Sequence, residues 1–224
     1  MDAIRRSFRA TLAVLFLNNL GLTIIYPIFT PLVLKSTYSL VPSEYPLSVR
    51  LILLAILITS FPLAQFIAGP FINHIADVKG KRRALTLALI GEAVGFLLTG
   101  VALKRMDYFF LLFSRLFTGF FAGNLPICLA LVSETPNRSR NFGIVSNLAG
   151  ISFVVAIVIG GALSNFDSSL PFWTLTLFAI INIVIIRLRF TETAAPHQDK
   201  CHYFCYQIGE LLKVFKTKNL KYLY

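Results

Sequence analysis

The segment that decides the fold lies between two long apolar runs and reads Gly69-Pro-Phe-Ile-Asn-His-Ile-Ala-Asp-Val-Lys-Gly-Lys-Arg-Arg83. Gly69-Pro70 is predicted to break the end of the preceding helix, and Gly80 permits a tight turn before the next one. Asp77 supplies a hydrogen-bond acceptor in this connection. The three adjacent cations at 81–83 resist translocation across a bilayer, which predicts that the connection lies in the cytoplasm.

The composition is that of an integral membrane protein. Apolar residues make up 56% and charged residues 14% of the 224-residue chain, and the mean hydropathy is +0.74, beyond the balance of a soluble domain. Apolar runs long enough for a helix to cross a bilayer, roughly 20 residues, occur at 10–34, 49–72, 84–103, 108–132, 143–163 and 171–190. The predicted fold is therefore an all-α membrane protein with six transmembrane helices in one bundle.

The charges predict the orientation of the bundle. The net charge is +11, but the cations lie at the ends of the apolar runs, which argues against a nucleic-acid partner. One side would hold Arg5, Arg6, Arg9, Lys79, Lys81, Arg82, Arg83, Arg138, Arg140, Arg187 and Arg189, and the other only Lys35, Arg50, Lys104 and Arg105. This asymmetry predicts a multi-pass protein of the cytoplasmic (inner) membrane with both termini in the cytoplasm.

Two ionisable residues inside the apolar runs are the first functional candidates. Glu92 is the only carboxylate there, and an ionised group at that depth costs roughly 2.5–3.5 kcal/mol. Glu92 should therefore face a wet cavity, pair with a cation or stay protonated, and each of these states suits proton coupling. Arg115 falls at a similar depth on the next helix, so the two could pair. A Glu92 nearer the interface and a purely structural ion pair are the alternatives.

Small and polar residues complete the candidate set. Arg115, Gly119 and Gly123 recur at intervals of four and share one helical face, where the glycines allow close packing. Asn18, Asn19 and Gln65 are predicted to line a cavity, although the two asparagines could instead be polar contacts between helices. The residues predicted to pack helices closely are Gly119, Gly123, Gly150, Ala156, Gly160 and Gly161.

The spacing of Asn73, Ala76, Asp77, Gly80 and the cations 81–82 resembles the loop between the second and third helices of the major facilitator superfamily of secondary transporters, Gly-x-Leu-Ala-Asp-Arg-x-Gly-Arg-Lys. Val78 stands where that pattern has an arginine and removes a cation from its charge network. The connection 133–143 echoes this loop. The resemblance implies a cytoplasmic gate formed by Gly69, Asn73, Asp77, Gly80, Lys81, Arg82, Glu134, Arg138 and Arg140.

Three further helices can be compared with motifs of that superfamily, and the first of them resembles its tetracycline and multidrug proton antiporters. Leu20-Gly21 and Pro27-Ile28 resemble their first-helix pattern, and 115–123 resembles the fourth-helix motif, whose arginine is associated with proton transfer. In the fifth helix, Gly160-Gly161 is retained but Ala156-Ile157 stands where antiporters carry Gly-Pro. This departure leaves symport and uniport open beside antiport.

The resemblance implies an organisation in which substrate binds between two six-helix bundles. Residues 1–190 would form one bundle. Residues 191–224 would form a cytoplasmic linker that contains an amphipathic helix at 206–218, and the chain would stop near the start of an absent seventh helix. The expected partners are small-molecule substrate, protons, the lipid bilayer, and a complementary six-helix half or a second copy. A lone bundle would expose Glu92 and Arg115 to lipid unless another bundle covered them.

The function predicted is secondary transport, namely proton-coupled efflux of small amphiphilic molecules by an amino-terminal half or truncated form. No phosphate-binding loop of the Gly-x4-Gly-Lys-Ser/Thr kind occurs, and neither an enzyme nor a cofactor is expected. His197, Cys201, His202 and Cys205 match no zinc pattern, so no metal is expected. The alternative is a non-transporting membrane interaction or regulatory subunit.

Overall fold

The computed structural model describes residues 2–34, 40–42 and 44–190, with side chains from Ser7 onward. The predicted linker and its amphipathic helix, and the four His and Cys residues discussed with it, lie outside this part. The helices in the described residues are α1 (Asp2–Thr23), α2 (Ile25–Leu34), α3 (Leu47–Lys79), α4 (Lys81–Arg105), α5 (Tyr108–Phe121), α6 (Leu125–Ser133), α7 (Arg138–Ser164) and α8 (Leu170–Arg189).

These helices make six candidate membrane spans within the described residues, by length and hydropathy. The first span joins α1 to α2, and the fourth joins α5 to α6. Both interruptions lie one turn before a proline. Pro27 and Pro126 have no N–H to donate to the carbonyls of Thr23 and Ala122, so the regular helix is interrupted before each proline and resumes as α2 and α6. The predicted all-α, six-span fold is confirmed.

The helix ends differ from the sequence prediction at the connection between the second and third spans. α3 continues through Gly69-Pro70 to Lys79, so the predicted break at Gly69-Pro70 is wrong. A proline inside a helix removes one hydrogen bond and can bend the helix, but α3 stays helical on both sides of Pro70. The turn is confined to Gly80, which has φ of 92°, a value that favours glycine because it has no Cβ.

The helices approach one another most closely at glycines. A Cβ added to Gly119 would overlap the carbonyl oxygen of Phe61 on α3, and one added to Gly95 of α4 would lie 2.8 Å from the Cα of Thr118 on α5. α4 also packs along α8, and α1 lies against α7 and α8. These contacts surround a core of buried aliphatic and aromatic side chains that runs through α1, α2 and α4.

The end of the bundle that carries the turn at Gly80 is called the basic end here. It also holds the start of α1, the connection between α6 and α7, and the end of α8. Lys81 forms an ion pair with Glu134, and the Arg82 guanidinium donates a hydrogen bond to the carbonyl oxygen of Arg187. These two contacts join the start of α4 to the neighbouring spans.

At the opposite end of the bundle, Arg50 connects the first two spans, although the sequence by itself indicates only a positive charge there. Arg50 is buried, and its guanidinium donates to the carbonyl oxygens of Tyr45 at 3.2 Å, Leu34 at 3.3 Å and Pro42 at 3.1 Å. Because Leu34 closes α2 and Pro42 and Tyr45 precede α3, Arg50 joins the first span to the second. Lys104 and Asp167 approach to 3.9 Å at the same end.

Candidate functional site

A chain of hydrogen-bonded polar side chains crosses the interior of the bundle. Asn124 donates from Nδ2 to Oε1 of Glu92 at 2.7 Å, and Asn18 donates from Nδ2 to Oδ1 of Asn124 at 3.0 Å. Gln65 donates from Nε2 to Oδ1 of Asn18 at 3.4 Å. Each of the three amides donates one hydrogen bond along the chain toward Glu92, which is the terminal acceptor. The four residues are called the amide chain below.

The backbone break in the fourth span helps to hold this chain in place. Because Pro126 cannot donate to the carbonyl of Ala122, that oxygen is left for side chains. Gln65 donates to it at 2.9 Å and Asn18 at 3.4 Å. The free carbonyl thus brings together side chains from the first and second spans beside Asn124, which lies in the break itself.

A cleft of about 740 Å³ opens beside this chain, between α3 and the start of α6. Its walls are mostly apolar and include Pro62, Phe66 and Phe71, and Gln65 is its polar contact with the amide chain. Gln65 is half-buried, whereas Asn18 and Glu92 are 6% and 1% exposed. The amide chain therefore leads from an apolar cleft to a carboxyl group inside the bundle.

Glu92 has one engaged and one unengaged carboxyl oxygen. Oε1 accepts from Asn124, while Oε2 has no hydrogen-bond partner in the described part of the chain. Either oxygen of a carboxyl group can carry its proton. A proton can therefore occupy Oε2 without breaking the bond between Oε1 and Asn124.

Arg115 does not pair with Glu92, so the predicted ion pair is wrong. The Arg115 guanidinium lies 4.5 Å from the centroid of the Phe61 ring and 5.9 Å from that of Phe29, and it donates to the carbonyl oxygen of Gly21 at 3.3 Å. No ion pair of Arg115 occurs among the described residues.

Helical phase explains this difference. Gly119 lies one turn after Arg115 and packs on α3, so this face of α5 points to α3 and away from α4. The face of α5 that meets α4 carries Ser114 and Thr118 instead: Ser114 receives a hydrogen bond from Thr99 at 3.1 Å, and Thr118 lies against Gly95. Similar depth in the membrane was therefore not sufficient for contact.

The expectation that a single bundle exposes these two residues is also wrong. Glu92 is 1% exposed and Arg115 is fully buried by the bundle itself. Asn19 stands apart from the amide chain, because its Nδ2 donates to the carbonyl of Leu15 in its own helix at 2.9 Å. Successive residues on a helix point about 100° apart, so Asn18 and Asn19 cannot face the same site.

The residues predicted to form the gate divide between two places. Gly69 and Asn73 border the cleft, while Gly80, Lys81, Arg82 and Glu134 lie at the basic end and meet through the contacts given above. Asp77 lies in the last turn of α3 rather than in a loop, and it is exposed. Arg138 and Arg140 are exposed in the first turn of α7, with no ion pair within the described residues.

The residues predicted to pack helices divide in a similar way. Gly123 lies against Ala68 and Gly69, and a Cβ at Gly160 would come within 2.8 Å of Ile24. Ala156 is fully buried one turn before Gly160. A Cβ added to Gly150 or Gly161 would meet no described atom within 4 Å. The predicted close packing at Gly150 and Gly161 is therefore wrong within the described bundle.

Asn124 is the principal site residue that sequence reasoning missed. It is fully buried and joins Glu92 to Asn18. A signal for it was present, because an asparagine in an apolar run two residues before a proline combines an intramembrane polar group with a residue that interrupts helical hydrogen bonding.

Comparison with known proteins identifies the family. The family model of the Major Facilitator Superfamily matches residues 11–200. The chain belongs to this superfamily. The superfamily resemblance proposed from the loop at 69–83 is thereby confirmed. Members of this superfamily are membrane transporters and not enzymes, which agrees with the prediction that this chain is no enzyme.

Curated members of the Major Facilitator Superfamily similar to this chain include two resistance proteins. The class H tetracycline resistance protein of Pasteurella multocida is 25% identical over 141 residues, which are 62% of this chain and 34% of that protein. The quinolone resistance protein NorA of Staphylococcus aureus (strain MRSA252) is 27% identical over 179 residues, or 77% of this chain and 42% of NorA. The chain thus matches less than half the length of these relatives.

Solved structures of superfamily members share the fold. The human organic anion transporter MFSD10 (TETRAN) aligns with a TM-score of 0.66 at 22% identity, covering 86% of this chain and 49% of that one. The POT family transporter PepTSo aligns with a TM-score of 0.61 at 16% identity, covering 88% of this chain and 40% of that one. The chain is therefore a multi-pass membrane protein with a Major Facilitator Superfamily fold.

Proposed function

We propose that this chain is the six-helix unit of a secondary transporter that exports small amphiphilic molecules in exchange for protons. The observation that carries the proposal is the amide chain, which connects the apolar cleft at Gln65 to the buried carboxyl group of Glu92. Family membership and similarity to tetracycline and quinolone resistance proteins support a small organic substrate.

In this mechanism Glu92 binds the coupling proton at Oε2 while Asn124 holds Oε1. A buried carboxylate without a cation is costly, since isolation from water removes its solvation. Arg115 supplies no compensating contact. Proton release therefore requires that water or a charged partner reach Glu92, which is what an alternating opening of the cleft provides. Substrate movement is then coupled to proton movement, because only the protonated form of Glu92 is stable when the cleft is closed.

The cleft supplies the substrate site. Its volume of about 740 Å³ lies within the range of small-molecule pockets, and its few polar groups suit an amphiphilic ligand. A complementary six-helix half, or a second copy of this chain, would form the facing wall. The exposed apolar faces of α3 and α7 offer the surface for that association. In the most apolar 18-residue segment of each helix, only 33% of α3 and 11% of α7 is buried.

Orientation belongs to the same proposal. The basic end faces the cytoplasm, and the protein lies in the cytoplasmic (inner) membrane with both termini on that side, by the positive-inside rule. The pair Lys81–Glu134 acts with the neighbouring cations as the cytoplasmic gate, because this pair joins the second-to-third and fourth-to-fifth connections at one membrane face.

The test is flux of a fluorescent amphiphilic drug into inverted membrane vesicles, driven by a proton gradient, with this chain alone and with a complementary six-helix half supplied. We expect Glu92→Gln to abolish gradient-driven flux, because the amide keeps the bond to Asn124 but cannot exchange a proton. Glu44→Gln is the matched control, since Glu44 is exposed outside the spans, and it should leave flux unchanged. Undiminished gradient-driven flux in Glu92→Gln contradicts proton coupling through Glu92.

A folded, inserted protein that supports no flux in either preparation would favour the non-transporting interaction subunit. In that case Glu92→Gln and Asp77→Asn change thermal stability or partner binding only. Flux that persists without a proton gradient and follows the drug gradient alone would instead indicate uniport.

A further inference from the structure

A second cleft lies at the basic end, on the outer surface of the bundle and away from the amide chain. It has a volume of about 490 Å³ between the start of α4 and the end of α8. Its lining is Arg82, Arg83, Thr86, Leu87, Ile90 and Arg187. Three arginines and no carboxylate therefore border one small concave surface.

The positive charge of this cleft is not neutralised by the described protein. Arg82 uses one guanidinium nitrogen on the carbonyl oxygen of Arg187, which holds the end of α8 against α4. Arg83 and Arg187 form no ion pair among the described residues, and Glu134 pairs with Lys81. Like charges held this close repel one another, so an anion in the cleft lowers the energy of all three.

An exposed aliphatic stripe continues from the cleft along α4. Arg83 heads a row of outward-facing residues at alternating intervals of four and three, namely Leu87, Ile90, Val94 and Leu97, which are 38–43% exposed. Val184 and Leu188 of α8 are 50% and 79% exposed beside the same end. The surface thus presents cations at the membrane boundary and apolar side chains below them.

We propose that this cleft binds an anionic glycerophospholipid of the leaflet at the basic end. The phosphodiester occupies the cleft between Arg83 and Arg187, where arginine can bind phosphate oxygens in a bidentate geometry. An acyl chain lies on the stripe formed by Leu87, Ile90, Val94 and Leu97. A free phosphate would match the cations only, whereas a phospholipid matches both the cations and the stripe. Basic pockets between helices at a membrane boundary recognise such head groups.

The experiment measures lipid retained by the full chain in nanodiscs of phosphatidylcholine with a minor fraction of phosphatidylglycerol. Native mass spectrometry gives the ratio of bound phosphatidylglycerol to bound phosphatidylcholine. The variant is Arg83→Gln/Arg187→Gln, which leaves the contact of Arg82 with the backbone of Arg187. We expect its preference for phosphatidylglycerol to fall roughly tenfold to thirtyfold.

The matched control is Arg138→Gln/Arg140→Gln. It removes two exposed arginines from the same membrane face but from α7, away from the cleft. The control should keep the preference of the unchanged chain. An equal fall in both variants would mean that general surface charge attracts the lipid and would overturn the proposal, as would a lack of preference in the unchanged chain.

Competition distinguishes a lipid from a free anion. Inorganic phosphate and glycerophosphoglycerol, which carries the head group without acyl chains, should displace phosphatidylglycerol poorly even in large excess. Efficient displacement by inorganic phosphate would identify a free-anion site and overturn the assignment to lipid. Thermal unfolding of both variants in detergent checks that they remain folded, and the single substitution Arg83→Gln replaces the double variant if Arg187→Gln unfolds.

Discussion

Asn124 holds the site together because it lies where the backbone of the fourth span is interrupted. It donates to Glu92 and accepts from Asn18, so one amide satisfies groups from two other spans. A buried polar group that loses its partner costs the full desolvation of that group. The residues of the amide chain are therefore coupled in stability as well as in any transport role.

We expect Asn124→Leu to lower the free energy of unfolding by about 1–3 kcal/mol, because it leaves Glu92 Oε1 and Asn18 Nδ2 with fewer partners. Thermal unfolding in detergent measures this. Asn182→Leu is the matched control, since Asn182 is 7% exposed and its Oδ1 has no described partner. It should be neutral or stabilising. Equal effects of the two substitutions would argue against the amide chain as a stabilising unit.

Arg115 shows the opposite case, a buried cation held by rings and one carbonyl. Its Nε and Nη1 have no hydrogen-bond partner within the described residues. We expect Arg115→Met to keep the stability of the unchanged chain within about 1 kcal/mol, because it fills the space without a desolvated charge. Arg115→Ala should cost about 2–5 kcal/mol through the cavity it leaves. Thermal unfolding compares them, and a Met variant as unstable as the Ala variant would contradict this account.

At the scale of elements, α5 is positioned by its two faces. Gly119 brings one face onto α3, where Gly123 also packs from the break that follows α5, and Ser114 and Thr118 bring another face onto α4. Packing this close leaves no space for a methyl group at Gly119. The same contacts place the carbonyl oxygen of Ala122, which has no acceptor role in the helix, within hydrogen-bond distance of Gln65.

Gly119→Ala should therefore destabilise the bundle by about 1–3 kcal/mol, since its Cβ would meet backbone atoms of Phe61 rather than a movable side chain. Gly150→Ala is the control, because Gly150 is exposed in the middle of α7 with open space around it. That substitution should be neutral or stabilise by up to about 1 kcal/mol. Thermal unfolding in the same detergent compares the two. If Gly119→Ala proves as harmless as the control, α5 and α3 are not in close contact.

At the scale of the whole molecule, each end of the bundle is tied by its own contacts. Lys81–Glu134 and Arg82 with the Arg187 carbonyl join spans at the basic end, and Arg50 joins the first two spans at the other. An exposed ion pair contributes little stability, about 0–1 kcal/mol. Lys81–Glu134 can therefore break at low cost, as the proposed gate requires.

Orientation can be tested by labelling single cysteines in a variant without Cys128, Cys201 and Cys205. We expect a membrane-impermeant thiol reagent to label Glu44→Cys in intact cells and Ser139→Cys only after permeabilisation. Both positions are exposed, and they lie at opposite ends of the bundle. The reversed pattern would place the basic end outside and overturn the cytoplasmic assignment.

Much of the fold and part of the candidate site could be predicted from local chemistry. Apolar runs must form helices in a bilayer, since no water is available to satisfy their backbone, so the six spans could be predicted from hydropathy. The family was predicted from the resemblance of the loop at 69–83 to a known motif. The high cost of burying Asn18, Gln65, Glu92 and Arg115 marked them as candidates for an internal position. Helix ends were placed less well, because α3 and α7 continue past the apolar runs into polar residues.

The fold class, the number of spans and the candidate polar residues thus follow from the order of residues, because hydropathy and burial cost are properties of each residue and its neighbours. The partners of those residues were decided only by tertiary structure. Glu92 meets Asn124 and Arg115 meets Phe61 because helix rotation and the breaks before Pro27 and Pro126 set which faces touch. That rotation depends on close packing at Gly95 and Gly119, between segments that are distant in the sequence.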